Sequence, residues 1–303
     1  MSNVPEQFKP GYKVPYQRQD DTPGLQQKLS PAPIDDITPD GKPYKAAGKL
    51  EGRTAIITGS DSGIGRAVAI LFALEGADLT LHATEKEKDE LKDVERCIHE
   101  KTGGKRKVAT VISDLREEVL CRQLVSQHAE AHNGKLDILV LNHGNQNAVT
   151  DITELPSEQW VRTFDTNIHS FFYIVKASIP YLEKSPYPSI NFNGSINMAV
   201  GHPELLDYTA TKGAIIAFMR ALSNQIVGEK GIRCNAVAPG PIWTPLIPAT
   251  MTDDSIKTFG ASVPMKRAGQ PVEIATCFVF LASADSGYIS GQVLHVNGGV
   301  VIN

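Results

Sequence analysis

The chain has 303 residues, 41% of them hydrophobic, with 30 lysines and arginines against 34 acids and a formal net charge of −4. No run approaches the ~18 apolar residues of a membrane span, and the slightly acidic balance gives no electrostatic case for nucleic acid. The four cysteines, at 97, 121, 234 and 277, are widely scattered. They read as reduced, mostly buried thiols rather than disulfides or a zinc site, and no metal is expected.

Residues 1–45 hold eight of the nineteen prolines, six acids, six bases and almost no apolar periodicity. Such a segment cannot build its own core, so it is expected to be an extended or disordered arm lying along the domain or a partner subunit. It has no apolar stretch of signal-peptide length, and the expected compartment is the cytoplasm. From 46 to 303 a single domain is expected. Strand candidates fall at 53–58, 78–83, 107–112, 137–141, 188–193, 231–237 and 292–296, with amphipathic stretches between them. That alternation predicts a Rossmann-type α/β domain, a doubly wound parallel sheet of about seven strands with helices on both faces.

The first strand candidate runs straight into Gly59-Ser60-Asp61-Ser62-Gly63-Ile64-Gly65-Arg66. Strand, glycine turn and helix in that order suit a dinucleotide: the backbone can approach the ligand closely, and the N–H groups and positive dipole end of the helix face its diphosphate. Further along, His128 and His132 have metal-ligand spacing on a helix, but with no third ligand nearby they read as solvent-facing. Asn193-Gly194-Ser195 is formally a glycosylation sequon without meaning in a cytosolic protein. Tyr208 and Lys212 stand four residues apart, on one face of a helix. A phenol titrating near pH ~10 needs a downward shift of roughly three units, about 4 kcal/mol, to exchange protons at neutral pH, and an adjacent ammonium in a partly desolvated site is expected to supply it.

The Thr58-Gly59-x-x-x-Gly63-x-Gly65 spacing resembles that of the short-chain dehydrogenase/reductase (SDR) family, and the likeness continues along the chain. Asp114 matches the family's adenine-contacting acid, and Asn142-His143-Gly144 matches its Asn-Ala-Gly turn beside the cofactor. Asn167 matches the active-site Asn, with Lys176 on the same predicted helix. Ser195 precedes Tyr208 by the usual thirteen residues, and Pro239-Gly240-Pro241-Ile242-Trp243-Thr244 matches the loop that holds the nicotinamide carboxamide. Within the family the chain is most similar to a glucose/ribitol dehydrogenase-type and general-stress oxidoreductase subgroup that carries an N-terminal arm, a likeness covering nearly the whole chain.

The resemblance implies a catalytic set of Ser195, Tyr208, Lys212 and Asn167. Tyr208 passes the proton, Lys212 lowers its pKa and binds the nicotinamide ribose, Ser195 holds the substrate oxygen and Asn167 positions a water that links Lys212 to solvent. Cofactor contacts are expected from Gly59, Ser62, Gly63, Ile64, Gly65, Thr84, Asp114, Asn142, Lys176, Tyr208, Lys212, Ile242 and Thr244. Substrate contacts are expected from Ser195, His143, Met198, His202 and Trp243, with Leu206 a further candidate and 246–262 a mobile lid. Two departures from the family pattern stand out: Leu141 and His143 flank Asn142, and Asn193-Gly194 precede Ser195 where small hydroxylated residues are usual.

Cofactor choice turns on Asp78–Thr84, where NAD enzymes place an acid for the ribose hydroxyl. Ala83 holds that position, with His82, Thr84 and Lys86 beside it, so NADP is expected, NAD being the alternative. The leading expectation is an NADP(H)-dependent aldehyde or ketone reductase acting on a small molecule, possible in specialised biosynthesis. An NAD-dependent sugar or polyol dehydrogenase is the second reading, and a non-catalytic nucleotide-binding sensor or scaffold the third. A homotetramer is implied by the family.

Overall fold

Short apolar, β-branched runs become parallel strands where helices cover both faces. The computed structural model describes residues 4–302, and seven such runs pair in it: β1 (Thr54–Ile57), β2 (Asp78–Ala83), β3 (Val108–Ile112), β4 (Ile138–Leu141), β5 (Ser189–Asn193), β6 (Arg233–Pro239) and β7 (Val293–Val296). All pairings are parallel, in the order β3-β2-β1-β4-β5-β6-β7, with Ala55 opposite Ile138 and Ala83 opposite Ile112. The order reverses between β1 and β4. A doubly wound sheet takes its ligand outside the carboxyl ends of the strands at such a switch point.

The helices are α1 (Gly63–Leu74), α2 (Lys88–Thr102), α3 (Glu118–Ala131), α4 (Ser157–Phe164) and α5 (Ser170–Leu182), then α6 (Asn197–Val200), α7 (Leu206–Lys230), α8 (Leu246–Thr250), α9 (Asp253–Lys257) and α10 (Pro271–Ala282). Successive strand residues point to opposite faces, so Ala55 and Ile57 join Phe72 of α1 and Phe278 of α10 in one core cluster, while Ile56 joins Phe171, Phe192 and Met219 in another. Among the described residues no helix is long and apolar enough to cross a membrane. Between α4 and α5 the chain makes a π turn, Asp165–His169, with Asn167 buried inside it. Such widened turns recur at functional sites.

His128 and His132 are buried, contrary to the solvent-facing expectation, because α3 turns Cys121, Leu124, Val125 and His128 inward as one stripe. Their rings lie 4.5 Å apart around the Thr80 hydroxyl, 2.7 Å from His128 Nδ1 and 3.2 Å from His132 Nε2. Burial, with His132 beside it, pushes His128 down to about 3, and burial pushes His82 down to about 4. Both are neutral in the fold, whereas an unfolded imidazole titrates near ~6.5. Below that pH the unfolded chain binds protons that the fold refuses, so this stability is complete above pH ~6.5 and is lost as pH falls towards the folded values. Urea midpoints measured from pH 7 to 4.5 are expected to fall with acid, with a slope of about 1.4 kcal/mol per pH unit for each such histidine. His128→Gln should flatten the slope by about one proton; an unaltered slope would show that His128 titrates normally.

The arm is extended and borrows the domain's core. Val14 and Leu29 pack in a third cluster with Leu205, Trp243, Ile247, Met251 and Ile256. Backbone and side-chain hydrogen bonds tie it down along its length: Gly11 N donates to Lys266 O at 3.0 Å, Gln19 N to Pro248 O at 3.0 Å, and Ile34 N to Gln270 Oε1 at 3.0 Å. Asp35 pairs with Arg66 of α1 at 2.8 Å.

Candidate active site

The glycine turn is dictated by close approach. A Cβ on Gly59, whose φ is +61°, would lie 2.9 Å from the His143 backbone, and one on Gly65 would lie 1.9 Å from Gly59 O. Only hydrogen fits at either position, so the turn, the start of α1 and the end of β4 can nest together. A cavity of about 1200 Å³ runs from this turn across the switch point. Gly59, Ser62, Gly63 and Ile64 line it, with Ala83, Thr84 and Asp114 at one end and Ser195, Tyr208, Lys212, Ile242 and Thr244 towards the other. Its size, its length and the glycine cradle fit a dinucleotide.

Asn142 fastens the turn. Its amide nitrogen donates to Thr58 O at 3.1 Å and to Gly59 O at 2.8 Å, while its Oδ1 accepts from Asn193 Nδ2 at 2.8 Å. Asn193 O in turn accepts from Lys212 Nζ at 2.7 Å. The departure at Asn193 thus has a physical reason: its side chain ties β5 to Asn142 and the glycine turn, while its backbone carbonyl takes Lys212.

Tyr208 and Lys212 share a face of α7, and Lys212 Nζ lies 5.3 Å from the centre of the Tyr208 ring. Burial pushes the Tyr208 phenol up to about 12, with the nearby Ser195 hydroxyl acting more weakly in the opposite direction. Burial also pushes Lys212 down to about 7. Burial thus favours the neutral form of both groups, a direction opposite to the lowered phenol expected from the spacing of Tyr208 and Lys212. Beneath them, Asp207, missed by the sequence reading, accepts from Tyr208 N at 2.8 Å and from Thr163 Oγ1 at 2.8 Å. It is buried at the start of α7 and aims the first turn of that helix.

The Asn167 side chain is spent on structure. It accepts from Asn145 N at 2.7 Å and donates to Asn145 O at 2.9 Å and to Thr211 Oγ1 at 3.0 Å, which fixes the loop under Lys212. His143 lines the cavity with both ring nitrogens committed, Nδ1 to Thr58 Oγ1 at 2.8 Å and Nε2 to Ser170 Oγ at 2.9 Å. Ser170 donates its own proton to Thr166 O, so His143 Nε2 donates to Ser170 and Nδ1 accepts from Thr58. Burial, first, and the neighbouring His82 and Lys212 hold this ring well below its ordinary pKa. His143 therefore presents ring surface and no free nitrogen to the cavity.

Five expected contacts, Leu206 among them, lie off the cavity wall. Trp243 is fully buried in the arm cluster and donates from Nε1 to Pro31 O at 3.1 Å, because its indole needs a partner and the arm supplies one. Met198 packs against the core cluster around Phe192 and is absent from the cavity wall. Lys176 is exposed on α5, its Nζ 5.8 Å from the Phe172 ring, away from the cavity. Gly65 is also off the wall, acting through packing. His202 lines the cavity as expected, and Thr84 does so while its N–H donates to Glu87 Oε2 at 3.1 Å. His82 is buried and neutral, donating from Nε2 to Ser113 O at 3.0 Å, so it brings no charge to a phosphate. Asp114 is held below the usual carboxylate range by hydrogen bonding to Arg116, whose Nε lies 2.9 Å away.

Residues 59–301 match a protein-family model described as enoyl-(acyl carrier protein) reductase. The chain is 46% identical over 301 residues to the glucose and ribitol dehydrogenase homolog of Oryza sativa subsp. japonica, covering 96% of this chain and 98% of that one. It is 44% identical to NADPH-dependent aldehyde reductase 1, chloroplastic, of Arabidopsis thaliana, with 86% and 90% covered. Among solved structures, 3-ketoacyl-(acyl-carrier-protein) reductase from Brucella melitensis, complexed with NADH, superposes with a TM-score of 0.74 at 28% identity, covering 82% of this chain and 98% of that one.

Proposed function

The chain belongs to the short-chain dehydrogenase/reductase family of NAD(P)-dependent oxidoreductases, and from that premise we propose that it reduces an aldehyde or ketone of a small molecule with NADPH. The observation that carries this reading is that Ser195, Tyr208 and Lys212 line the same cavity as the glycine turn, with Lys212 Nζ 5.3 Å from the centre of the Tyr208 ring. Bound nicotinamide supplies the hydride to the carbonyl carbon. Ser195 Oγ donates a hydrogen bond to the carbonyl oxygen, where negative charge develops. Tyr208 delivers its proton to that oxygen, so the substrate O–H bond forms as the phenol O–H bond breaks. Lys212 faces the resulting phenolate, and protons return to the pair through water in the cavity, while Asn167 acts by fixing the loop beneath Lys212. Burial favours the protonated phenol, the form that the donor role requires. The same groups run alcohol oxidation when the phenol is ionised.

NADPH is favoured by Ala83 at the end of β2, with Thr84 and Lys86 on the cavity wall. One observation favours an NAD-dependent sugar or polyol dehydrogenase instead: Asp61, in the glycine turn, lines the same end of the cavity and is pushed up to about 7 by burial, with Glu87 close by. A carboxyl there could accept from a ribose hydroxyl and oppose an added phosphate. kcat/KM with NADPH and NADH separates the two. Wild type is expected to prefer NADPH, and Ala83→Asp to move the ratio towards NADH by about tenfold or more. An unchanged ratio in Ala83→Asp would refute the placement, and an NADH preference relaxed by Asp61→Asn would establish the second reading.

A homo-oligomer is also proposed, supported by exposed Trp160, Val161 and Phe172 on α4 and α5 and by exposed Tyr288 and Val301 near the C-terminus. The four free thiols agree with a reducing, cytosolic compartment.

A further inference from the structure

The arm crosses the mouth of the nucleotide cleft, and its anchors lie on both banks. On the glycine-turn bank, Gln26 Oε1 accepts from Gly63 N at 2.7 Å, supplying the cap that Ser62 does not give α1. Lys86 Nζ donates to Thr22 O at 3.4 Å and Gln27 N to Glu90 Oε1 at 2.9 Å. On the opposite bank, Gln19 N donates to Pro248 O at 3.0 Å in α8. Gly24 is wedged so closely that an added Cβ would lie 2.5 Å from Pro245 O, at a φ of +90°. Between these anchors Asp20, Asp21, Thr22 and Pro23 form part of the wall of the same cavity as Asp61, Ala83 and Thr84.

We propose that residues 19–27 are a strap of the nucleotide site, lying across the adenosine end of a bound dinucleotide, so that the cofactor enters and leaves only when the strap lifts. The proposal rests on dinucleotide binding in this cleft. Each anchor is a single hydrogen bond or a packed glycine, none carried by a large apolar side chain, so the segment can open locally without unfolding the domain. Gln26 is then a positioning residue with two duties: it caps α1, and it holds the strap down through Gly63. Its Nε2 also donates to Asp35 Oδ2 at 3.2 Å, which links the strap to the Asp35–Arg66 pair.

Limited trypsinolysis of the full chain reads the strap directly, because Arg18 and Lys28 flank it and are exposed, while Lys45 lies exposed beyond it as an internal control. With saturating NADP⁺, NAD⁺ or ADP, cleavage at Arg18 and Lys28 is expected to slow by about fivefold or more relative to Lys45, and nicotinamide mononucleotide, which has no adenosine, should leave it unchanged. Binding is followed separately by quenching of tryptophan fluorescence. In Gln26→Ala the stopped-flow release rate of NADPH should rise by about fivefold or more, with Arg18 and Lys28 cut faster in the absence of nucleotide. Cleavage at both sites unaffected by nucleotide that fluorescence shows to be bound, or an unaltered release rate in a folded Gln26→Ala variant, would overturn the strap. Absence of any nucleotide binding would instead overturn the cofactor reading, and the strap with it.

Discussion

Tyr208→Phe is expected to lower turnover between about 10²- and 10⁴-fold, the range that a positioned general acid contributes, while nucleotide affinity changes by no more than about twofold. The ring keeps its volume against the arm cluster, and Asp207 keeps its bond to the backbone N–H of residue 208, so α7 starts as before. Only the hydroxyl of a residue on the cavity wall is lost. Steady-state turnover and fluorescence titration with the cofactor check the two halves separately. Full activity in the variant would remove Tyr208 as the proton donor; equal loss of activity and binding would make it a structural residue. A sensor without turnover has no use for this hydroxyl, so a large loss of activity also disposes of that alternative.

Lys212→Met is expected to damage both properties. The methionine fills a similar volume, but Asn193 O loses its 2.7 Å donor in a buried setting, which costs about 1–3 kcal/mol. Asn193 leads through Asn142 to Thr58 and Gly59, so the loss reaches the cofactor turn as well as the proton donor. Turnover should fall by about 10²-fold or more, and the dissociation constant for the nucleotide should rise by about tenfold. Isothermal titration beside kinetics separates this variant from Tyr208→Phe: a Lys212→Met enzyme that binds nucleotide as wild type does would break the proposed link from Lys212 to the glycine turn.

Much of the fold was legible because its signals are local. The run before Gly59 and the six later strand candidates fall within two residues of the observed strands, since an apolar run bounded by turns leaves few other options. The glycine turn and the Tyr208–Lys212 pair were legible for the same reason: their meaning depends on spacing along one turn or one helix. Side-chain direction beyond a single element was not. Trp243 lies next to two wall residues, Ile242 and Thr244, yet its side chain turns into the arm, and Lys176 shares the α5 region with the site while pointing outward. His128 read as solvent-facing because the spacing to His132 said nothing of Thr80 on a strand nearly fifty residues away. The arm's anchors are side-chain and backbone hydrogen bonds to residues as far as 236 positions along the chain, which leave no periodicity to detect. The tyrosine pKa depends on burial, a quantity that sequence spacing does not carry.

The most direct measurement is a turnover screen of wild type against aldehydes, ketones, sugars and polyols with NADPH, NADH and their oxidised forms, following nicotinamide absorbance. The expected result is oxidation of NADPH that depends on an aldehyde or ketone and disappears in Tyr208→Phe. Binding of both cofactors without turnover of any carbonyl or alcohol would contradict it.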